Sequence, residues 1–153
     1  MTDSVTSSGL KTFIESKGGI HLRYMRGYKN VINKGIELNS KGINAPLMIE
    51  TSGHGAMKEN YNLDDGAYLA VKIIIEAVKR KNAGGGGIGE ILESLKEPLE
   101  SSEVRLKIAN PEFKKVGSDV IEQFKQAIES GYFEANFVCA EENFEGIRAE
   151  SEG

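Results

Sequence analysis

Short apolar segments alternate with helical patterns through the first half of the chain, and this alternation limits the possible folds most strongly. Residues 20–25 and 45–49 have the length and composition of buried strands. A first helix is expected to begin after Ser7 or Ser8 and to end before Gly18, and a second covers residues 28–38. Because such alternating elements bury their apolar faces as helices layered on a sheet, the pattern predicts an α/β fold.

The longest predicted helix runs from residue 67 to about residue 81 and is apolar around most of its circumference. Acidic residues precede it and basic residues end it, as the helix macrodipole favours. Its narrow polar stripe consists of Lys72, Glu76, Lys79 and Arg80. A helix so widely apolar is expected to be buried on most sides. It is too short and too often interrupted by charge to span a membrane.

The last third of the chain predicts a different, smaller module. Its expected elements are a strand over residues 104–108, a helix over 118–130 and two strands, one over 136–140 and one that starts at 146. We therefore divide the chain into an α/β domain (1–83), a glycine-rich linker with a short helix (84–100) and an incomplete α+β module (101–153). Both ends of the chain are expected to be cut from a longer protein.

Composition narrows the function classes. The chain has 153 residues and a formal net charge of −4, which argues against nucleic-acid binding by bulk charge. The single Cys139 excludes an internal disulfide and a cysteine zinc cage. No signal peptide or membrane span is recognisable, so we expect a cytoplasmic protein with neither nucleic acid nor membrane as a partner.

A polar loop is expected over residues 51–62. The segment that opens it, directly after the strand at 45–49, reads Glu-Thr-Ser-Gly-His-Gly and carries the most promising chemistry. Ligands of open α/β sheets bind beyond the carboxyl ends of strands, where this loop must lie. Glu50 and Ser52 offer hydrogen-bonding groups for hydroxyls, Gly53 lets a ligand approach the backbone, and His54 supplies an imidazole that can gain or lose a proton. The residues alone leave open a solvated turn with an incidental histidine.

A second candidate lies at the start of the helix over residues 28–38. Arg26 and Lys29 place positive charge at a helix N-terminus, where phosphate groups bind readily. Three other basic residues are close to Arg26 and Lys29 in the sequence, namely His21, Arg23 and Lys34. An anionic ligand is therefore indicated, although an ordinary solvated basic turn would have the same composition.

Together these segments resemble a known family. Residues 50–60 and 63–68 closely resemble the third domain of the α-D-phosphohexomutases, which are the phosphoglucomutases and phosphomannomutases. The Glu-x-Ser-Gly-His element resembles that family's sugar-binding loop, and Gly27-Tyr28-Lys29 resembles its Gly-aromatic-Lys motif. The resemblance covers residues 2–81 strongly and continues more weakly into segments similar to the start of the fourth domain.

The resemblance implies a fold and an activity. It implies a three-layer mixed-sheet domain followed by the first part of the C-terminal domain. The intact enzyme would be an isomerase that interconverts hexose 1-phosphate and hexose 6-phosphate. In this reading Glu50, Ser52, Gly53 and Arg26 bind the substrate. Lys29 and His54 would be catalytic, as charge stabilisers or proton carriers whose acid and base roles stay open.

The same resemblance implies components that the chain does not carry. The family's phosphoserine loop and Asp-rich Mg²⁺ loop belong to domains 1 and 2, and neither pattern occurs in this sequence. Mg²⁺ and hexose 1,6-bisphosphate would thus be cofactors of the intact enzyme, with no metal bound by residues of this chain. The partners would be the hexose phosphate and the missing domains 1, 2 and the rest of 4, and the chain alone should be inactive. The alternative is a stand-alone, non-catalytic sugar-phosphate-binding module.

Overall fold

The protein is described by a computed structural model that covers residues 1–151. It forms two compact units, of which the first is Met1–Leu99 and the second begins at Glu100. Residues 84–99, expected as a linker and short helix, lie within the first unit. In the described part of the chain, no helix combines the length and apolarity needed to cross a membrane.

The first unit is built on a four-stranded mixed sheet. Its strands are β1 (Thr2–Asp3), β2 (Arg23–Tyr24), β3 (Leu47–Ile49) and β4 (Gly55–Met57), in the order β2-β1-β3-β4. β1 runs parallel to both of its neighbours, whereas β3 and β4 are antiparallel and place Met48 opposite Ala56. The helices are α1 (Ser8–Ser16), α2 (Tyr28–Ser40), α3 (Gly66–Asn82) and α4 (Ile88–Leu92). The α/β fold expected from the alternating pattern is confirmed.

Local sequence signals explain where the helices begin. The Ser7 hydroxyl accepts a hydrogen bond from the Leu10 amide at 3.2 Å and caps α1. The Asp65 carboxylate accepts one from the Tyr68 amide at 2.9 Å and caps α3. The Ser7 hydroxyl and the Asp65 carboxylate each bond to an amide that has no partner within its helix. The starts of α1 and α3 therefore follow from the sequence.

The core of this unit lies between α2 and the sheet. Its buried apolar residues are Val31, Ile32, Ala45, Met48 and Ala56. At Gly35 on α2, a Cβ atom would come within 2.3 Å of Met48 Cγ, so only glycine permits this approach of helix to strand. The close packing holds α2 against β3, and the candidate residues lie at the ends of these two elements.

The segment expected as a polar loop from residue 51 to residue 62 contains a strand, so that expectation is wrong. β4 occupies Gly55–Met57 and is followed by a 3₁₀ turn over Lys58–Asn60. Ala56 is only 1% exposed. Three residues are too few to show a period of two, and the strand forms because β3 supplies its hydrogen-bonding partner.

The expectation that the long helix is buried on most sides is also wrong. No residue of α3 is buried, and Ile74 is 61% exposed. The other strongly exposed apolar residues of this helix are Val71, Ile73, Ile75 and Val78. Within the first unit α3 packs against β4 and α4, so most of its circumference meets no other element.

The second unit consists of a helix and a two-stranded antiparallel sheet. These elements are α5 (Phe113–Glu129), β5 (Phe137–Cys139) and β6 (Ala149–Ser151). Phe133 makes edge-to-face contacts with Phe124 and Phe137. The strand expected over residues 104–108 is absent, and Leu106 is 86% exposed. An alternating pattern forms a strand only where a partner strand offers hydrogen bonds, and the described residues provide none for this segment.

Candidate functional site

The candidate loop is a tight turn between β3 and β4. The Glu50 amide donates a hydrogen bond to the His54 carbonyl at 2.9 Å, and the Gly53 amide donates to the Glu50 carbonyl at 3.0 Å. Gly53 has a φ of 93°, in the region that favours glycine. Since Glu50 directly follows β3 and Gly55 opens β4, the turn projects residues 51–54 from the strand ends. Ser52, Gly53 and His54 are exposed there.

A buried aspartate anchors this turn to the first strand. Asp3 on β1 is 1% exposed, and its Oδ2 atom accepts hydrogen bonds from the Thr51 amide at 3.0 Å and the Thr51 hydroxyl at 2.7 Å. Its Oδ1 atom accepts one from the Thr6 hydroxyl at 3.0 Å. No motif in the sequence indicates this role of Asp3. The available signal was an aspartate within a predicted buried strand, because a buried carboxylate requires hydrogen-bonding partners.

Glu50 joins the two candidate segments. Its Oε1 atom accepts a hydrogen bond from the Gly27 amide at 2.5 Å, and its Oε2 atom accepts one from the Ser52 hydroxyl at 3.3 Å. The side chain is 8% exposed. An ionised carboxylate has about four acceptor positions, so two bonds leave it capacity for ligand hydroxyls. From the sequence, Glu50 is expected to bind a ligand. In the structure its carboxylate also links the turn to the start of α2.

His54 is held by two other side chains. Its Nδ1 atom lies 2.7 Å from Asp64 Oδ2, and its ring stacks on that of Tyr28 with 4.8 Å between centroids and 23° between planes. The other carboxylate oxygen of Asp64 accepts a hydrogen bond from the Gly55 amide at 2.9 Å. The imidazole is half exposed. The sequence offered no pattern that pairs Asp64 with His54, since they come together only through the return of the chain along β4.

The cationic residues of the site are at the start of α2. Arg26 and Lys29 are exposed and flank Gly27, which precedes the helix with a φ of 110°. The N-terminus of α2 has no side-chain cap, so its macrodipole adds partial positive charge beside these two residues. The stack of Tyr28 on His54 places this positive region beside the turn.

The other basic residues that the sequence grouped with them lie elsewhere. Arg23 is 3% exposed and donates hydrogen bonds from Nε to the Thr6 carbonyl at 2.9 Å and from Nη2 to the Ser7 carbonyl at 3.1 Å. His21 is also buried, and its Nε2 atom lies 2.8 Å from the Thr2 hydroxyl. Lys34 pairs with Glu37. His21 and Arg23 therefore bond to groups of the protein itself, and Lys34 forms an ion pair within α2.

A polar cluster ties the segment after β4 to α3. Hydrogen bonding from the Tyr68 amide and then from the Asn60 side chain holds the pKa of Asp65 below its usual value. The Lys72 ammonium, 2.7 Å from Glu59, and then the Tyr68 hydroxyl hold the pKa of Glu59 below its usual value. These contacts fix the chain that carries Asp64, and hence the position of the His54 partner.

Residues 1–151 contain no group of three or more His, Cys, Asp or Glu side chains that could hold a metal ion.

Comparison with known proteins relates the chain to one family. No curated protein and no solved structure matches it. A family model described as phosphoglucomutase/phosphomannomutase, alpha/beta/alpha domain III, matches residues 1–97, which is more than half of the 153 residues. The matched region contains the whole mixed sheet and all six candidate site residues. By this match the chain belongs to the phosphoglucomutase/phosphomannomutase family, whose members are generally isomerases, through its α/β/α domain III.

Proposed function

We propose that this chain supplies the sugar-binding loop of an enzyme that interconverts hexose 1-phosphate and hexose 6-phosphate. The observation that carries the proposal is the hydrogen bond from the Gly27 amide to Glu50. This bond joins the turn that carries Glu50 and Ser52 to the cationic start of α2, and a hexose phosphate presents hydroxyls and a phosphate side by side. Family membership supports the same substrate class.

Glu50 and Ser52 would bind the sugar hydroxyls. Glu50 accepts hydrogen bonds through its remaining lone pairs, and the Ser52 hydroxyl both donates and accepts. Gly53 has open space around the position of a Cβ atom, so a sugar ring can approach its backbone. Because adjacent hydroxyls offer similar donors and acceptors, the same pair can hold the sugar in either of two orientations.

Lys29, Arg26 and His54 would act at the phosphate end. Phosphoryl transfer depends mainly on positioning and on neutralising the charge of the transferred group. The two exposed cations, together with the N-terminus of α2, provide that positive charge. His54 would exchange a proton with a sugar hydroxyl, since an imidazole nitrogen can accept a proton and return it.

The remaining parts of the reaction would come from other domains of the same protein. A phosphoserine there would exchange its phosphoryl group with the sugar through hexose 1,6-bisphosphate, and Mg²⁺ would be held there as well. The isolated chain is accordingly expected to bind the sugar phosphate without converting it. The proposed setting is the cytoplasm, which is compatible with a chain that has a single cysteine.

The test is a titration of the isotopically labelled chain with glucose 1-phosphate and with mannose 1-phosphate, in which NMR monitors the backbone amide signals. We expect shifts at Gly27, Ser52 and Gly53, and no shift at Gly131 in the second unit. Unphosphorylated glucose should bind more weakly, because it offers no phosphate to the cationic residues. Absence of shifts at the turn, with both sugar phosphates in large excess, would refute the proposal.

A pair of lysine variants sharpens this test. Lys29→Ala removes a cation from the second residue of α2, and Lys114→Ala does the same at the second residue of α5. A hydrogen bond to a charged group contributes about 1.5–3 kcal/mol, which corresponds to roughly 10- to 100-fold in affinity. We expect that loss for Lys29→Ala alone. Equal affinities for the two variants would remove Lys29 from the site.

A further inference from the structure

We propose that Asp64 is a positioning residue that holds His54 as the tautomer protonated on Nδ1, with Nε2 free to accept a proton. This inference deepens the proposed function and rests on it for the role of His54. The sequence reasoning left open whether His54 acts as an acid or as a base. The geometry around its ring points to one protonation pattern.

The contact between the two side chains determines which nitrogen carries the proton. His54 Nδ1 lies 2.7 Å from Asp64 Oδ2, and an ionised carboxylate can only accept hydrogen bonds. Nδ1 must therefore donate, and in the neutral ring this leaves the lone pair on Nε2. The two nitrogens of the imidazole thus have different tasks, one bound to the protein and one available to a ligand.

Asp64 itself is held in place. Its Oδ1 atom accepts a hydrogen bond from the Gly55 amide at 2.9 Å, and its backbone forms an antiparallel bridge with Ala56, the middle residue of β4. The carboxylate therefore cannot turn away from His54 without losing its bond to the strand. A residue fixed in this way can orient a partner on an exposed turn.

Tyr28 restrains the ring from the other side. Its ring stacks on the imidazole at 4.8 Å, and Tyr28 is the first residue of α2. The Asp64 hydrogen bond fixes one edge of the imidazole, and the stack fixes its plane. His54 is half exposed, yet both its orientation and its tautomer are set by residues outside the turn.

The arrangement suits reversible proton transfer. When a sugar hydroxyl gives its proton to Nε2, an O–H bond breaks and an N–H bond forms. The sugar oxygen can then bond to the phosphorus of the phosphoserine, as the bond from that phosphorus to the serine oxygen breaks. The ring then becomes an imidazolium, and the Asp64 carboxylate next to Nδ1 stabilises its charge. Return of the proton in the reverse direction restores the neutral tautomer.

The experiment is a long-range ¹H–¹⁵N spectrum of the ¹⁵N-labelled chain, without sugar, at a pH where the imidazole is neutral. The chain has two histidines, so a His54→Gln variant identifies the His54 signals by their loss. We expect the wild-type spectrum to show the tautomer protonated on Nδ1. A wild-type spectrum with the proton on Nε2 would overturn the inference.

Asp64→Asn provides the complementary test. The asparagine oxygen can still accept from the Gly55 amide, while its NH₂ group donates to Nδ1, so the ring proton should move to Nε2. Asp119→Asn, an exposed acid on α5, is the matched control and should leave the His54 spectrum unchanged. An unchanged tautomer in folded Asp64→Asn would also overturn the inference. If that variant does not fold, the wild-type spectrum decides alone.

This test and the sugar titration fail independently. The tautomer is read in the free chain, so the correct tautomer without sugar binding would refute the proposed function alone. Sugar binding at the turn with the proton on Nε2 would refute the positioning role of Asp64 alone.

Discussion

Replacing Glu50 tests the link between the turn and α2 most directly. In the wild type its two carboxylate oxygens accept from the Gly27 amide and the Ser52 hydroxyl. Glu50→Ala removes both bonds. Glu50→Gln keeps the shape of the side chain, with the amide oxygen able to accept from Gly27 and the NH₂ group able to donate to Ser52.

The geometry sets the size of the expected losses. The Gly27 amide is part-buried and loses a charge-assisted bond, for which we expect a loss of about 1.5–3 kcal/mol of unfolding free energy in Glu50→Ala. Ser52 is exposed, so water replaces its bond at little cost. In Glu50→Gln a neutral hydrogen bond, which contributes about 0.5–1.5 kcal/mol, replaces the charge-assisted one. The loss of unfolding free energy is the difference between the two, about 1 kcal/mol.

The assay combines urea unfolding followed by circular dichroism with amide hydrogen exchange. Exchange at Gly27 should become faster in Glu50→Ala, because its hydrogen-bond acceptor is gone, and should change less in Glu50→Gln. Glu15→Ala, an exposed acid on α1 in the same unit, is the control. The reasoning would be refuted if Glu50→Ala lay within about 0.5 kcal/mol of the wild type and Gly27 exchange were unchanged.

Three other perturbations test the fold. Gly35→Ala should lower stability, because overpacking against Met48 costs about 1–3 kcal/mol and exceeds the helix-propensity gain of about 1 kcal/mol; an unchanged or higher urea midpoint would contradict this. Met48→Ala should cost about 2–5 kcal/mol and Ile74→Ser less than about 0.5 kcal/mol, and equal losses would show that α3 is buried after all. Hydrogen bonding from the Tyr68 amide lowers the pKa of Asp65 in the folded state, so at acidic pH the unfolded state binds more protons. The free energy of unfolding should therefore fall as the pH drops from the usual aspartate pKa through the lower pKa of the folded state. Asp65→Asn should flatten that part of the urea-midpoint profile, and a profile identical to that of the wild type would contradict the assignment.

Several elements could be predicted because their signals are local. The caps at Ser7 and Asp65 satisfy amides within three residues, and the start of α2 at Tyr28 follows directly from the glycine before it. The strand over Leu47–Ile49 appears as a short apolar run. In each case the residues that decide the structure are neighbours in the sequence.

The errors arose where distant contacts decide. Gly55–Met57 pairs with β3 although three residues show no periodicity. The alternating segment 104–108 has no partner strand within residues 1–151 and stays irregular. The apolar pattern of α3 indicates how much apolar surface the helix carries, but burial also needs a neighbouring element. Within the first unit that neighbour is present only on the side of β4 and α4.

The same division applies to the candidate site. The sequence by itself determined the family, the α/β class and the two segments that carry Glu50, His54 and Lys29, because residue types and short spacings encode them. Only the tertiary structure decided that Glu50 bonds to Gly27 and that Asp64 bonds to His54. Those contacts join residues 23 and 10 positions apart through the packing of α2 on the sheet and the return of the chain along β4. No local pattern encodes such a distance, because it depends on how whole elements pack.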